Sequence, residues 1–363
     1  MATRSVIPFG PQHPVLPEPV HLDLVVEDEH VIEAIPQIGY VHRGLEKLVE
    51  KRDFNQFVYV AERVCGICSF GHGWGYAMAT ENLIGLEIPR RAQYLRTILE
   101  ELSRVHSHLL WLGLLADAFG FEALFNHCWR LRETVLDIFQ ETCGGRIILS
   151  ITIVGGMAHD IPDEMLKRAC EKLDGIKREY AEIVNTMLHD DSVASRLRGV
   201  GSISFEEAVE LSMVGPFAKG SGVEHDMRST GFGAYGDLEH FEPIISNECD
   251  CYARCKVRCE EVYQSIDIIK ELVAKIPHDG IGNKPGPKVV VPEGRSHVLI
   301  EQPRGEAFYY VRGNGTKNLE RFRMRTPTSQ NLGGLVRALQ GVDVADVPMI
   351  ILTIDPCISC TER

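Results

Sequence analysis

The sequence has 363 residues, 44% of them hydrophobic and 25% charged, which is ordinary globular composition and enough apolar material for a sizeable core. A formal net charge of −13 argues against a nucleic-acid surface, which needs clustered Lys and Arg, so no nucleic acid is expected and partners should be proteins. The eleven cysteines are an odd set and Met1-Ala-Thr-Arg-Ser5 lacks the apolar stretch of a signal peptide, which together point to a reducing cytoplasm rather than a disulfide framework. The longest apolar run, 109–119, is interrupted by Asp117 and is about half of the roughly 20 residues a bilayer span needs; membrane attachment is expected through a partner.

In chain order, the prolines of 7–14 predict an extended loop. Over 21–35 apolar residues recur at about every second position around Glu27-Asp-Glu-His30, predicting a β-hairpin or meander. A helix is expected at 43–51, leading through 54–60 into Arg63-Val-Cys-Gly-Ile-Cys-Ser-Phe-Gly-His72. Pro89 opens a long helix whose apolar residues, among them Leu95, Ile98, Leu102, Val105 and Leu109, recur every three and four positions. Segments 122–142 and 162–189 repeat that period, and Cys143-Gly-Gly145 stops the first of them. Ser204 and Glu207 form a capping-box pattern, 226–235 reads as loop, and 250–275 as a helix broken by the proline- and glycine-rich 276–287. Short strands are expected at 289–291, 296–301 and 307–312, and a last helix at 330–339. The expected fold is a single α+β domain over 1–363: a large helical core with a small mixed β part formed by both chain ends.

The chemistry is concentrated in two CxxC pairs at opposite ends of the sequence, Cys65 with Cys68 and Cys357 with Cys360, the latter in Asp355-Pro-Cys-Ile-Ser-Cys-Thr-Glu-Arg363. Each pair can turn both sulfurs toward one point, and the two together supply four thiolates for a tetrahedral or distorted tetrahedral metal site closed by the whole fold. Structural zinc would use the same thiolates, although zinc ribbons surround CxxC with short polar hairpins and here Gly71-His-Gly-Trp-Gly75 follows the first pair. Cys251, Cys255 and Cys259 fall one helical turn apart and read as a core stripe; Cys128, Cys143 and Cys170 read as isolated packing residues.

Arg63-x-Cys-Gly-x-Cys-x3-His72 together with Asp355-Pro-Cys-x2-Cys-x2-Arg363 resembles the paired signatures of the large, catalytic subunit of [NiFe] hydrogenases. His42-Arg-Gly-Leu-Glu46, Gln302-Pro-Arg-Gly-Glu306 and Thr326-Pro-Thr-Ser329 are also similar to that family, so the resemblance spans essentially the whole chain. Within it the sequence looks like the compact, membrane-associated, energy-converting branch, the Ech and CO-induced types. Residues 7–14 and 38–44 are similar to the quinone-site subunit of respiratory complex I, a relative of that branch that has lost the cysteines.

The resemblance implies a NiFe(CO)(CN)2 centre with Cys65 and Cys357 as terminal nickel thiolates and Cys68 and Cys360 bridging nickel to iron. It places Arg304 beside the cyanides and over the open metal face, with Pro327, Thr328 and Asp355 completing the pocket. Glu18, in Glu18-Pro-Val-His21 where the family has Glu-Gly-His, is implied as the proton-transfer carboxylate, Cys360 as a first proton acceptor, and His72 as a hydrogen-bond donor to a bridging sulfur. Glu46 matches a carboxylate that holds Mg2+, although Arg363 stands where the family commonly has a ligating His. The family's precursors often carry a tail cut after this position, so the sequence is expected either to lack that tail or to be the mature form.

The implied activity is reversible formation of H2 from protons with electrons from reduced ferredoxin, coupled to ion translocation. The implied partners are a small subunit carrying an iron-sulfur cluster, ferredoxin-like subunits and integral membrane ion-translocating subunits, at the cytoplasmic face of the cytoplasmic membrane. Two other readings stay open: a complex I-like quinone-site subunit without nickel, using His13 and the first loops, and a subunit stabilised by zinc.

Overall fold

Each end of the chain folds into its own three-stranded sheet, and the long helices lie between them. The computed structural model describes residues 4–363. The first sheet holds β1 (Arg4–Phe9), β2 (His21–Glu27) and β3 (His30–Gln37), antiparallel in that order with Leu24 opposite both Ile7 and Ala34. Its alternation is the expected one, Leu22, Leu24 and Val26 pointing into the core while Asp23 and Glu27 are partly solvated. A 3-10 segment, Leu45–Lys51, stands where a helix is expected, and α1 (Phe54–Glu62) and α2 (Ser69–Ile84) follow.

The helical core comprises α3 (Arg90–Ala118), α4 (Glu122–Cys143), α5 (Asp163–His189), after a two-residue hairpin of β4 (Thr152–Ile153) and β5 (Gly156–Met157), and α9 (Cys251–Ala274). Short helices α6 (Asp191–Leu197), α7 (Phe205–Glu210) and α8 (Gly215–Lys219) link α5 to α9, and α7 carries the expected capping box of Ser204 and Glu207. Gly144 ends α4 in the left-handed conformation, φ 79°, which a glycine adopts without a Cβ penalty. Cys251, Cys255 and Cys259 are fully buried core residues of α9.

The second sheet is β6 (Gly294–Gln302), β7 (Gly305–Gly313) and β8 (Arg321–Arg325), again antiparallel, so both ends of the chain contribute to a small β part as expected, each through its own antiparallel sheet. The expected strand at 289–291 is irregular, and β8 was not expected. The chain finishes with α10 (Pro327–Ala338), α11 (Val347–Ile354) and α12 (Ile358–Glu362), two helices more than the periodicity predicts. Among the described residues no helix is long and apolar enough to cross a membrane.

Helix α3 is buried nearly all round, and its polar residues build an internal ionic network instead of facing water. Arg96 forms a two-pronged pair with Glu81 of α2, at 2.9 and 2.7 Å. Arg104 donates to the Glu301 and Gln302 carbonyls, at 2.8 and 3.0 Å, while Glu101 accepts from Arg228, Ser265 and Tyr235. Arg104 thereby fixes the end of β6 next to the β6–β7 turn. On the other side of that turn Gly305 lies so close to the Gly215 backbone that an added Cβ would sit 2.6 Å from the Gly215 nitrogen.

Glu62, at the end of α1, is buried against Gly73 of α2 and accepts a 3.0 Å hydrogen bond from the Ser150 hydroxyl. Burial pushes its carboxyl up to about 7. The folded state therefore keeps a proton that the unfolded chain releases near 4.5, so stability falls as pH rises through that window, by about 3 kcal/mol if Glu62 acts alone. Glu62→Gln should remove this part of the decline, measured as the slope of unfolding free energy against pH in denaturant titrations.

Candidate metal centre

Four cysteines from the two ends of the chain meet. Cys65 lies in the turn after α1, Cys68 caps α2, Cys357 caps α12, and Cys360 lies within α12. All are buried and their sulfurs lie within 4.8 Å of one another, the one such convergence of metal donors among the described residues. Cys357 Sγ is 3.0 Å from Cys360 and 3.4 Å from Cys65, and Cys68 is 3.2 Å from Cys360.

Arg43 is the tie between the two segments. Its guanidinium donates to the carbonyls of Arg63 and Val64 on the first, at 3.0 and 2.7 Å, and of Ser359 on the second, at 3.2 Å. Glu362 reinforces it by accepting from the Gly39 and Val41 amides. Both contacts fall inside or beside the motif His42-Arg-Gly-Leu-Glu46, in which the resemblance implies a role for Glu46 alone.

The thiols are not equivalent. Hydrogen bonds from Cys357, Cys360 and Cys65 hold Cys68 well below the usual thiol range, whereas burial and hydrogen bonds with its neighbours push Cys360 well above it. Ionising all four in this closed space requires a cation, and four soft, buried sulfurs suit a nickel, iron or zinc group.

His72, one turn into α2, places Nε2 3.4 Å from Cys68 and 3.3 Å from Cys360. Its Nδ1 lies 2.9 Å from the Tyr309 hydroxyl and 3.4 Å from the Gln302 amide nitrogen, and Gln302 also donates to Tyr309 at 2.8 Å. With a donor at hand on the Nδ1 side, the hydrogen-bond network favours a proton on Nε2, pointed at the two sulfurs. Gln302 opens the Gln302-Pro-Arg-Gly-Glu306 motif without a role assigned to it there, and Tyr309 has no signal in the sequence, since a tyrosine at an inward position of a strand reads as core until its hydroxyl has a partner.

Arg304, in the β6–β7 turn, is anchored to Asp355, two residues before Cys357. Its Nε donates to the Asp355 carbonyl and one terminal nitrogen to Asp355 Oδ1, both at 2.8 Å, and the other nitrogen lies 3.4 Å from Ser107 Oγ. Two of the five guanidinium N–H groups are left over among the described residues. Thr328, after Pro327 in the first turn of α10, accepts from the Cys357 amide at 3.0 Å and keeps its own hydroxyl proton. Glu18 accepts from the Ile358 and Ser359 amides and the Ser359 hydroxyl, at the turn between Cys357 and Cys360.

Glu46 does not fit the expected magnesium. One oxygen accepts from Arg363 Nε at 3.1 Å and the Met324 amide at 3.0 Å, and the other from Arg323 at 2.8 Å. Two guanidinium groups and an amide occupy the carboxylate, and neither arginine has a lone pair to offer a metal.

A further acid lies near the centre. Glu100 of α3 is fully buried, makes no hydrogen bond among the described residues, and faces Gly71, where an added Cβ would be 3.1 Å from both its oxygens. Burial pushes it up to about 8, which keeps it neutral.

Both ends of the chain thus close a buried cluster of four thiols, the donor set of a metal site. Residues 43–117 match the family model described as nickel-dependent hydrogenase, and residues 118–288 and 285–363 match the 49 kDa subunit of the respiratory-chain NADH dehydrogenase. The membrane-bound hydrogenase subunit alpha of Pyrococcus furiosus is 35% identical, over 98% of this chain and 87% of that protein. The carbon monoxide-induced hydrogenase of Rhodospirillum rubrum is 37% identical, over 98% and 99%. A chain from the structure of the membrane-bound sulfane sulfur reductase, an archaeal respiratory membrane complex, superimposes with a TM-score of 0.94 at 30% identity, over 99% and 98% of the two chains. The chain belongs to the family of large subunits that joins the membrane-bound, energy-converting [NiFe] hydrogenases to complex I.

Proposed function

We propose that this protein is the catalytic large subunit of a membrane-bound [NiFe] hydrogenase, working as one domain over 1–363 and forming H2 reversibly from protons with electrons from reduced ferredoxin. The observation that carries this reading is the closure of all four cysteines into one buried cluster. A quinone-site subunit has no use for such a cluster.

When bound, a thiolate-bridged nickel-iron pair carrying CO and cyanide supplies the soft, open metal face at which H2 is split or made. Cys65, Cys68, Cys357 and Cys360 would hold this group, and His72, which points at Cys68 and Cys360 and at neither of the others, would hydrogen-bond that pair of its ligands. The two free N–H groups of Arg304 and the Thr328 hydroxyl are the donors available to anionic diatomic ligands, while Asp355 holds the guanidinium in place. Glu18 receives or returns the proton at the turn carrying Cys360, its carboxylate pre-positioned by two amides and a hydroxyl.

Electrons arrive from a small subunit with an iron-sulfur cluster and ferredoxin-like subunits, and ion translocation belongs to integral membrane partners, which hold this subunit at the cytoplasmic face of the membrane. The test is metal analysis with infrared spectroscopy of the purified complex. One nickel per chain together with CO and cyanide stretching bands is expected. Zinc at one equivalent without the bands would instead favour a structural subunit, and no metal at all the quinone-site relative.

A further inference from the structure

The environment of Arg363 has the composition of a hard-cation site. Its guanidinium lies 3.1 Å from Glu46 Oε1, 3.1 Å from Ser329 Oγ, 3.3 Å from the Cys360 carbonyl and 2.9 Å from the Thr361 carbonyl. A carboxylate, a hydroxyl and two backbone carbonyls are the oxygen ligands that magnesium or calcium collects. They come from three places: the 3-10 segment Leu45–Lys51, the first turn of α10, and α12.

We propose that the Arg363 guanidinium occupies a cation cage in place of a divalent metal, so that Glu46 binds no ion and the side chain itself ties the Cys360 segment to the rest of the fold. The charge argument agrees. Arg363 and Glu46 are both largely buried, at 18% and 14% side-chain exposure, and pair with one another, while the second Glu46 oxygen is matched by Arg323. A divalent ion added to this arrangement would meet two positive charges already in contact with its carboxylate. An arginine does not lose its proton in proteins and does not exchange with solvent, so a clamp made this way is indifferent to chelators.

The consequence reaches the metal centre through backbone. Arg363 holds the carbonyls of Cys360 and Thr361, and Thr326 Oγ1 donates to the same Cys360 carbonyl at 3.2 Å. The position of the Cys360 sulfur is therefore set in part by a residue three positions further on. Arg363 is a positioning residue, acting on the cluster through the helix that carries Cys360.

The experiment is Mn2+ titration followed by electron paramagnetic resonance, on the purified complex freed of loosely held cations. The wild type should bind no Mn2+ at Glu46, contain no tightly held magnesium, and keep its melting temperature in EDTA. Arg363→His, which removes the cation and offers a neutral nitrogen, should gain one Mn2+ per chain, and Glu46→Gln in the same background should lose it again. A wild-type complex holding one equivalent of magnesium or Mn2+ that Glu46→Gln releases overturns the proposal, as does a folded Arg363→His variant that gains none. Should Arg363→His fail to fold, the wild-type measurement still decides. None of these readings depends on nickel at the cysteines, so this proposal and the hydrogenase assignment can fail separately.

Discussion

Replacing Cys360 by serine is expected to abolish hydrogen turnover and the CO and cyanide infrared bands together, with nickel content falling in parallel. Serine keeps the volume and a hydroxyl but removes a soft donor, and its alkoxide is inaccessible at neutral pH, so the group would lose a ligand rather than exchange one. The loss should exceed the roughly 10–100-fold that changes to groups behind the ligands produce. Cys360 is the informative choice because it touches most of the site: Cys68 at 3.2 Å, Cys357 at 3.0 Å and His72 at 3.3 Å all meet its sulfur. A variant that keeps full nickel and activity would remove Cys360 from the ligand set and with it the proposed centre. His72→Ala, by contrast, should leave metal in place and shift the infrared bands, since it withdraws a hydrogen bond from the sulfurs without removing one.

The four thiols were legible because cysteine pairs at CxxC spacing carry their chemistry in the sequence itself, and the long helices because their apolar residues recur with a helical period. What surrounds the centre was less so. The apolar period of α3 is silent on Arg96, Glu101 and Arg104, and all three are fully buried, Arg96 paired with Glu81 of α2 and Glu101 with Arg228 and with Arg104 of its own helix. Periodicity reports only which residues avoid water; a charge buried with its partner looks the same in sequence as a charge in solvent. Helix α11 was missed because Val347-Pro-Met-Ile-Ile-Leu-Thr-Ile354 is short, apolar on every side and rich in β-branched residues, so no stripe distinguishes it from a buried strand. Strand β8 is different: Arg321-Phe-Arg-Met-Arg325 alternates cleanly and was readable. At Glu46 the sequence itself carries the warning, since Arg363 stands where the family commonly has a ligating His, and that arginine is the one that pairs with the carboxylate.

The second large effect is expected at Glu18. Glu18→Gln should lower turnover in both directions by about 10²- to 10⁴-fold, the range that a positioned proton-transfer group contributes, while nickel content and the resting infrared bands persist. Glutamine is nearly the same size and can still accept from the Ile358 and Ser359 amides through its carbonyl, so the turn between Cys357 and Cys360 should survive the substitution. What it cannot do is hold the travelling proton. The Ser359 hydroxyl, which donates to the other Glu18 oxygen, would face an amide nitrogen that is itself a donor and must rotate away, a local adjustment on a partly exposed turn. Glu18→Asp separates position from acidity: it retains the carboxylate but shortens its reach, so an intermediate rate would show that proton transfer depends on how closely the carboxylate approaches this turn. Loss of the infrared bands in Glu18→Gln would show instead that the carboxylate holds the cysteine segment together. Unchanged turnover with the bands intact would move the proton path elsewhere, and Glu100, buried against Gly71 with its carboxyl pushed up to about 8, is the next acid to test.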